Sequence, residues 1–194
     1  MKKIDISTNK YPNTFAIVDD EDYDYLNQWK WYKKNSGLVA RVQYDPETRK
    51  GRTILLSRTV AKTPKGLFAD HINHDRLDNR KCNLRNATRT QNNQNKKRYV
   101  SAAGHTYKCV RRRDNNGHYS VYIKVDGVNT CMCTVKNKHV AAIVYNIAAH
   151  AYFGEYACYN EVPENERRKH VWVALSEFNK AYKKRLLPKG LIIN

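Results

Sequence analysis

The stretch from Asp70 to Asn92 constrains this chain more than any other. It reads Asp70-His71-Ile72-Asn73-His74-Asp75-Arg76-Leu77-Asp78-Asn79-Arg80-Lys81-Cys82-Asn83-Leu84-Arg85, then Thr88-Arg89-Thr90-Gln91-Asn92. Asp70 and His71 are adjacent, Asn83 follows twelve residues past the histidine, and Asn92 nine further on. Leu67 to His71 reads as a short strand ending in the charged pair, followed by a turn-rich loop (Asn73, Asp75, Asp78, Asn79). Asn83-Leu84-Arg85-Asn86 suits a return strand. Thr88 and Gln91 form a capping-box pattern that opens a helix to about Lys97. Asn92 then falls on the first turns, facing the strand that carries Asp70.

The residue types carry a chemistry. Asp70 offers a hard anionic oxygen and Asn92 a neutral amide oxygen. Two such ligands leave positions open for water and phosphate, the usual arrangement for Mg²⁺. Such an ion offsets the charge that develops on a phosphodiester as it breaks. His71 can take a proton from an attacking water, because a reference pKa of about 6.5 leaves the neutral form populated at working pH.

Charge fits that chemistry. Lys and Arg number 36 against 18 acidic residues, a net charge of +18. The excess is densest around the motif: residues 61–98 carry +7, against +3 for 1–60 and +4 each for 99–160 and 161–194. A polyanionic partner follows, since each neutralised phosphate releases counterions. Charge alone does not separate a DNA-binding chain from a ribosomal or RNA-binding one. Five cysteines, an odd number with no C-x-x-C pair, argue against a disulfide framework and a zinc finger. Cys131-x-Cys133 suits alternate strand positions. No apolar run is long enough for a membrane span, and the basic N-terminus lacks the apolar region of a secretory signal. These features place the chain in a reducing, DNA-containing compartment.

The flanks are organised differently. Residues 1–60 read as a small mixed unit. It has a strand over Thr14–Val18, a short helix opened by Asp19-Asp20-Glu21-Asp22, strand-like alternation at Trp29 and Trp31, and a hairpin of Leu38–Tyr44 with Arg52–Leu56. Core packing is the preferred role for the tryptophans. Residues 99–160 give the clearest pattern: strands over Thr106–Arg113, His118–Val125 and Asn129–Val135, then a helix over Lys138–Phe153. Asp114-Asn115-Asn116-Gly117 forms the first turn and Asp126-Gly127 a two-residue type I′ hairpin. Residues 161–187 form a terminal helix with Val171, Leu175, Phe178 and Tyr182 in one stripe, stopped by Pro188. Its Lys183-Lys184-Arg185 end reads as a solvated basic face.

Asp-His, the loop D-N-R-x-x-N-L and T-x-x-x-N together resemble the HNH nuclease family, specifically the ββα-metal finger of phage homing endonucleases. Pro64-Lys65-Gly66 and Gln91-Asn92-x-x-Asn95 fit the same pattern. The resemblance implies Asp70 and Asn92 as metal ligands, His71 as general base and Asn83 as the brace of the loop, with one divalent ion, Mg²⁺ or Mn²⁺. His74, Arg80 and Arg85 are secondary candidates, His74 for a phosphate contact. Members of the subgroup commonly carry Met-His-Arg upstream; here Leu56-Ser57-Arg58 stands there, and Ser57 cannot do what that histidine does.

Residues 107–160 resemble the plant ethylene-response-factor (Apetala-type) DNA-binding domain, through Tyr107-Lys108-Cys109-Val110-Arg111-Arg112-Arg113, Ala141-Ala142, Tyr145-Asn146, Ala148-Ala149, Gly154-Glu155 and Asn160. Cys109 and Cys133 depart from it, standing where that family has glycine, and Tyr119 departs at an aromatic strand position. Strand alternation places Arg111, Arg113, Tyr122 and Lys124 on a DNA-facing side and Tyr119, Val121 and Ile123 toward the helix.

The expectation is an α+β chain of four segments. They are an N-terminal unit (1–60), a ββα-metal finger (61–98), a three-stranded sheet on one helix (99–160) and a C-terminal helix (161–194). The expected function is metal-dependent cleavage of double-stranded DNA, as a homing or nicking enzyme, monomeric, in the cytoplasm of a bacterial or phage-infected cell. A catalytically inactive, sequence-specific DNA-binding regulator is the alternative.

Overall fold

Asp19 and Lys81 lie far apart in sequence, yet the Asp19 carboxylate accepts a hydrogen bond from the Lys81 amide at 2.7 Å. This contact shows how the first 95 residues are assembled. A computed structural model describes residues 1–97, 107–113 and 117–183. The turn expected over 114–117, the strand start at Thr106, and Lys184, Arg185 and Pro188 lie wholly or partly outside the described residues. The fold is α+β, with four small antiparallel sheets and five α-helices among the described residues. It divides into two units, Met1–Asn95 and Lys96–Asn194.

In the first unit, β1 (Lys2–Asp5) pairs antiparallel with β2 (Phe15–Val18), Lys2 opposite Val18. α1 (Asp20–Leu26) follows. Its acidic first turn suits the helix dipole, but Asp19 makes no side-chain cap because its carboxylate holds Lys81. Glu21 and Asp22 also pair with the Lys81 ammonium. The strand expected at Trp29 and Trp31 is confined to β3 (Tyr32–Lys33). Trp31 is instead a core residue, 1% exposed, its indole N–H donating to the Leu26 carbonyl at 2.8 Å. A buried indole needs such a partner, and meeting it bends the chain away from a continuous strand.

β4 (Val39–Asp45) and β5 (Lys50–Leu55) form the expected hairpin. α2 (Leu56–Val60), not expected from sequence, buries Leu56 and Val60. Its Arg58 guanidinium donates to the carbonyls of Thr63, Pro64 and Leu67, which fixes the approach to the next strand. β6 (Phe68–His71) then pairs antiparallel with β7 (Leu84–Ala87), and α3 (Arg89–Asn95) closes the unit, two residues short of the expected end. The Thr88 hydroxyl accepts from the Gln91 amide and the Gln91 side chain accepts from the Thr88 amide, a reciprocal capping box. Leu84 of β7 shares one core with Ile4, Val18, Leu26, Trp31 and Leu56.

In the second unit, β8 (Val110–Arg113), β9 (His118–Val125) and β10 (Val128–Val135) form an antiparallel sheet with β9 central. Asp126 and Gly127 take φ of 49° and 82°, the left-handed pair that a type I′ turn requires. α4 (Lys138–Phe153) has the expected bounds, and the Asn137 side chain caps it by accepting from His139 and Val140 amides. Ala141, Ala142, Ala148 and Ala149 are fully buried, so the helix can approach Val121 and Ile123 of β9 closely.

α5 (Glu164–Lys183) packs against α4. Its buried positions are Ala174, Phe178 and Ala181, with Tyr182 39% exposed. The expected stripe through Tyr182 is therefore turned by one residue: alanines allow closer helix contact than a tyrosine would. No helix among the described residues is long and apolar enough to cross a membrane, and all five cysteines are free thiols.

Candidate active site

The site is built by β6, the loop after it, β7 and α3. Asp70 and His71 end β6 and are 5% and 6% exposed. The loop between them and β7 is fastened to β2 by a single parallel bridge between Asp78 and Ile17. The Ile17 amide donates to Leu77 and the Asn79 amide donates to Ile17, both at 2.8 Å. Asn83 braces the loop from inside. Its side-chain oxygen accepts from the Asn73 amide at 3.0 Å and its NH₂ donates to the Asp78 carbonyl at 2.7 Å. The loop is tightened further by Asp78, which accepts from Arg80 and from the Asn73 side chain. Those bonds, the Arg80 pair first, hold the Asp78 carboxyl below its usual range. His74 turns the loop in a left-handed conformation, φ 68°.

The imidazole of His71 is held by Asn79, which is 1% exposed. The Asn79 NH₂ faces two carbonyl oxygens, of Arg76 at 3.3 Å and Leu77 at 3.1 Å. Its amide oxygen therefore faces the ring, 3.2 Å from Nε2. An amide oxygen only accepts, so Nε2 carries the hydrogen and Nδ1 keeps its lone pair. Burial pushes the His71 pKa down, opposed by the Asn79 bond and the Asp70 charge, which favours the neutral, proton-accepting ring.

Asp70 is oriented by two donors. Arg85 Nε donates to Oδ2 at 3.0 Å. The Asn95 NH₂ reaches both carboxylate oxygens, at 3.1 and 2.9 Å, and also the His71 carbonyl at 3.0 Å. Asn95, buried at the end of α3, thus ties both β6 residues to the helix. A carboxylate offers about four lone-pair sites, so these contacts leave room for one further ligand. Asn92 lies one turn earlier on α3, half-buried, and its side-chain amide has no hydrogen-bond partner among the described residues. One hard anionic oxygen with capacity to spare, and one neutral amide oxygen, are the donors a small divalent cation accepts. Among the described residues there is no cluster of three or more His, Cys, Asp or Glu. A set of one carboxylate and one amide contains no such cluster.

Asp70, His71 and Asn83 are thus joined through one loop. Arg80 and Arg85 commit their guanidiniums to Asp78 and Asp70. Asn79 and Asn95 were not assigned roles from sequence. Both lie in an Asn-rich polar stretch where side-chain partners are set by chain positions far apart. Ser57 is buried beside this region on α2.

The second unit carries the other candidates. Arg111 and Arg113 of β8 are exposed, and the Arg111 guanidinium sits 4.8 Å from the Tyr122 ring centroid. Lys124 is exposed on β9, while Tyr119, Val121 and Ile123 pack toward α4. Cys109 takes φ 57°, a left-handed conformation that favours glycine. Asn160 clamps that turn: it accepts from the Lys108 amide and donates to the Lys108 carbonyl.

A family model described as HNH endonuclease matches residues 61–94, the segment that contains Asp70, His71, Asn79, Asn83 and Asn92. The chain is also 31% identical over 150 residues to an uncharacterised HNH endonuclease of Acanthamoeba polyphaga mimivirus, spanning 77% of this chain and 76% of that one. With its adjacent Asp70 and His71 on a ββα unit, and likeness to that relative over most of both chains, this protein belongs to the HNH endonuclease family.

Proposed function

We propose that the protein hydrolyses a phosphodiester of double-stranded DNA, with Asp70 and Asn92 holding a divalent ion, Mg²⁺ or Mn²⁺, and His71 as general base. The observation that carries this reading is the Asn79 clamp, which leaves His71 Nδ1 with its lone pair, one residue along β6 from the buried Asp70. His71 Nδ1 takes a proton from water as the water oxygen attacks phosphorus. The P–O3′ bond breaks, leaving a 5′-phosphate and a 3′-hydroxyl that is protonated from solvent. A bound divalent ion would supply positive charge against the charge that develops on the phosphate. Arg85 and Asn95 orient the Asp70 carboxylate, and Asn83 holds the loop that carries Asn79.

The second unit supplies placement. Its three-stranded sheet is backed by α4 and leaves one face open, and a sheet face can enter the major groove. Arg111, Arg113, Tyr122 and Lys124 form the contact face, with the arginines reading guanine. One finger per chain cuts one strand per binding event, so the protein acts as a nicking enzyme of the homing type, in the DNA-containing compartment of an infected cell.

The test is supercoiled plasmid with Mg²⁺ or Mn²⁺, with and without EDTA. Relaxed circles bearing 5′-phosphate ends, absent in EDTA, are expected. DNA binding with no cleavage in any divalent ion would instead make the protein a sequence-specific regulator that has lost catalysis.

A further inference from the structure

A cleft of about 470 Å³ lies in the first unit, lined by Lys10, Tyr11, Tyr32, Lys33, Lys34 and Asn35 with their neighbours. Three of its lining residues are lysines and none is acidic. Among the described residues none of the three forms an ion pair, whereas Lys81 in the same unit is held by Glu21 and Asp22.

The Lys10 and Lys33 ammonium groups are nevertheless held in place. The Tyr11 ring carries Lys33 at 4.8 Å and Lys10 at 5.6 Å from its centroid. Lys10 also donates to the Asn35 side-chain oxygen at 2.9 Å. Cation–π contact and a neutral acceptor fix the positions of these charges without cancelling them. Preorganised, unneutralised cations are what an anion site requires. Because lysines cover the Tyr11 ring, the site suits phosphate oxygens better than a stacked base.

The cleft is tied to the catalytic loop. Arg76, between His71 and Asn79, donates through its guanidinium to the Ser36 carbonyl at the cleft's rim. Gly37, at φ 84°, leaves space for this crossing: a Cβ there would meet Arg76 Cδ at 3.4 Å.

We propose that this cleft binds the phosphate backbone of the DNA substrate beyond the cut, and that Arg76 couples that anchor to the catalytic loop. The proposal rests on the reading of the protein as a DNA-cleaving enzyme. Binding of the full chain to a short random-sequence duplex, in EDTA so that nothing is cut, tests it across a salt series. Lys33→Gln with Lys34→Gln should lower the slope of log affinity against log salt by about 2, since each phosphate that a lysine neutralises adds about 0.9 to that slope. Lys33→Arg with Lys34→Arg should keep the parent slope. Lys138→Gln with Lys169→Gln, exposed on α4 and α5, removes equal charge and should change it less. Thermal melting establishes that each variant is folded.

An unchanged slope in folded Lys33→Gln/Lys34→Gln overturns the proposal, and so does an equal fall in the control pair. Plasmid cleavage by the parent separates the two readings. If the parent cuts and the slope is unchanged, the cleft alone fails. If the parent binds with the expected slope change but does not cut, the cleft stands and the catalytic reading fails.

Discussion

Between Asp70 and Asn95 the protein buries Asp70, His71, Asp78, Asn79, Asn83 and Asn95, whereas the described second unit buries only Ser120 among its polar side chains. The second unit is instead closed by Val121, Ile123, Tyr145, Phe178 and the alanines of α4. The first region is held by directed hydrogen bonds, each requiring a partner in place. The second is held by apolar burial, which depends on volume and little on direction. Precision is therefore concentrated around the adjacent Asp70 and His71, and the sheet's outer face is left to arginine, tyrosine and lysine.

Substitutions can break this contrast. His71→Ala should lower plasmid cleavage by about 10²–10⁴-fold with DNA binding intact; normal cleavage would remove His71 as base. Phe178→Ala, in the apolar unit, should cost about 3–5 kcal/mol in denaturant unfolding. If it also lowers cleavage of saturating DNA at a temperature where the chain is folded, the division of labour between the units is wrong.

Asp78→Asn should cost about 2 kcal/mol, because it removes a buried charged acceptor for Arg80 and Asn73. The Asp78 carboxyl is depressed in the folded state. Its contribution is therefore complete above the ordinary carboxylate range near pH 4 and is lost as pH falls through the lower folded value. Acid unfolding curves should show that loss in the parent and less of it in Asp78→Asn. Arg111→Ala should weaken a specific DNA site by about 1–3 kcal/mol and random DNA much less; equal weakening on both would make it a phosphate contact.

The smallest effect tests the turn before β8. Cys109→Gly relieves about 1–2 kcal/mol of left-handed strain but adds unfolded-chain entropy worth about 0.5–1 kcal/mol. A net gain of roughly 0.5 kcal/mol is expected in thermal melting, and a decrease would show that the cysteine side chain is needed there.

Elements with local signals were readable. The bounds of α4 follow from the spacing of small and apolar residues and from Gly154. The reciprocal bonds of Thr88 and Gln91 follow from their three-residue spacing. The Asp126–Gly127 turn is written in two residues. What was missed depends on partners across long separations. β1 exists because β2 pairs with it. Trp31 leaves its strand to satisfy its indole N–H. The α5 stripe turns because Ala174 and Ala181 let α5 lie closely against α4.

The sequence by itself determined the ββα order, the adjacent Asp70 and His71, the basic charge and the helix-backed sheet, because periodicity, capping and turn chemistry act over a few residues. Only the tertiary structure decided that Asn79 selects the His71 tautomer and that Asn95 joins Asp70 to α3. It also decided that Ile17 holds the loop that carries Asn79. An asparagine amide can serve several roles with equal ease, and its choice is made by whichever donor or acceptor the folded chain leaves opposite it.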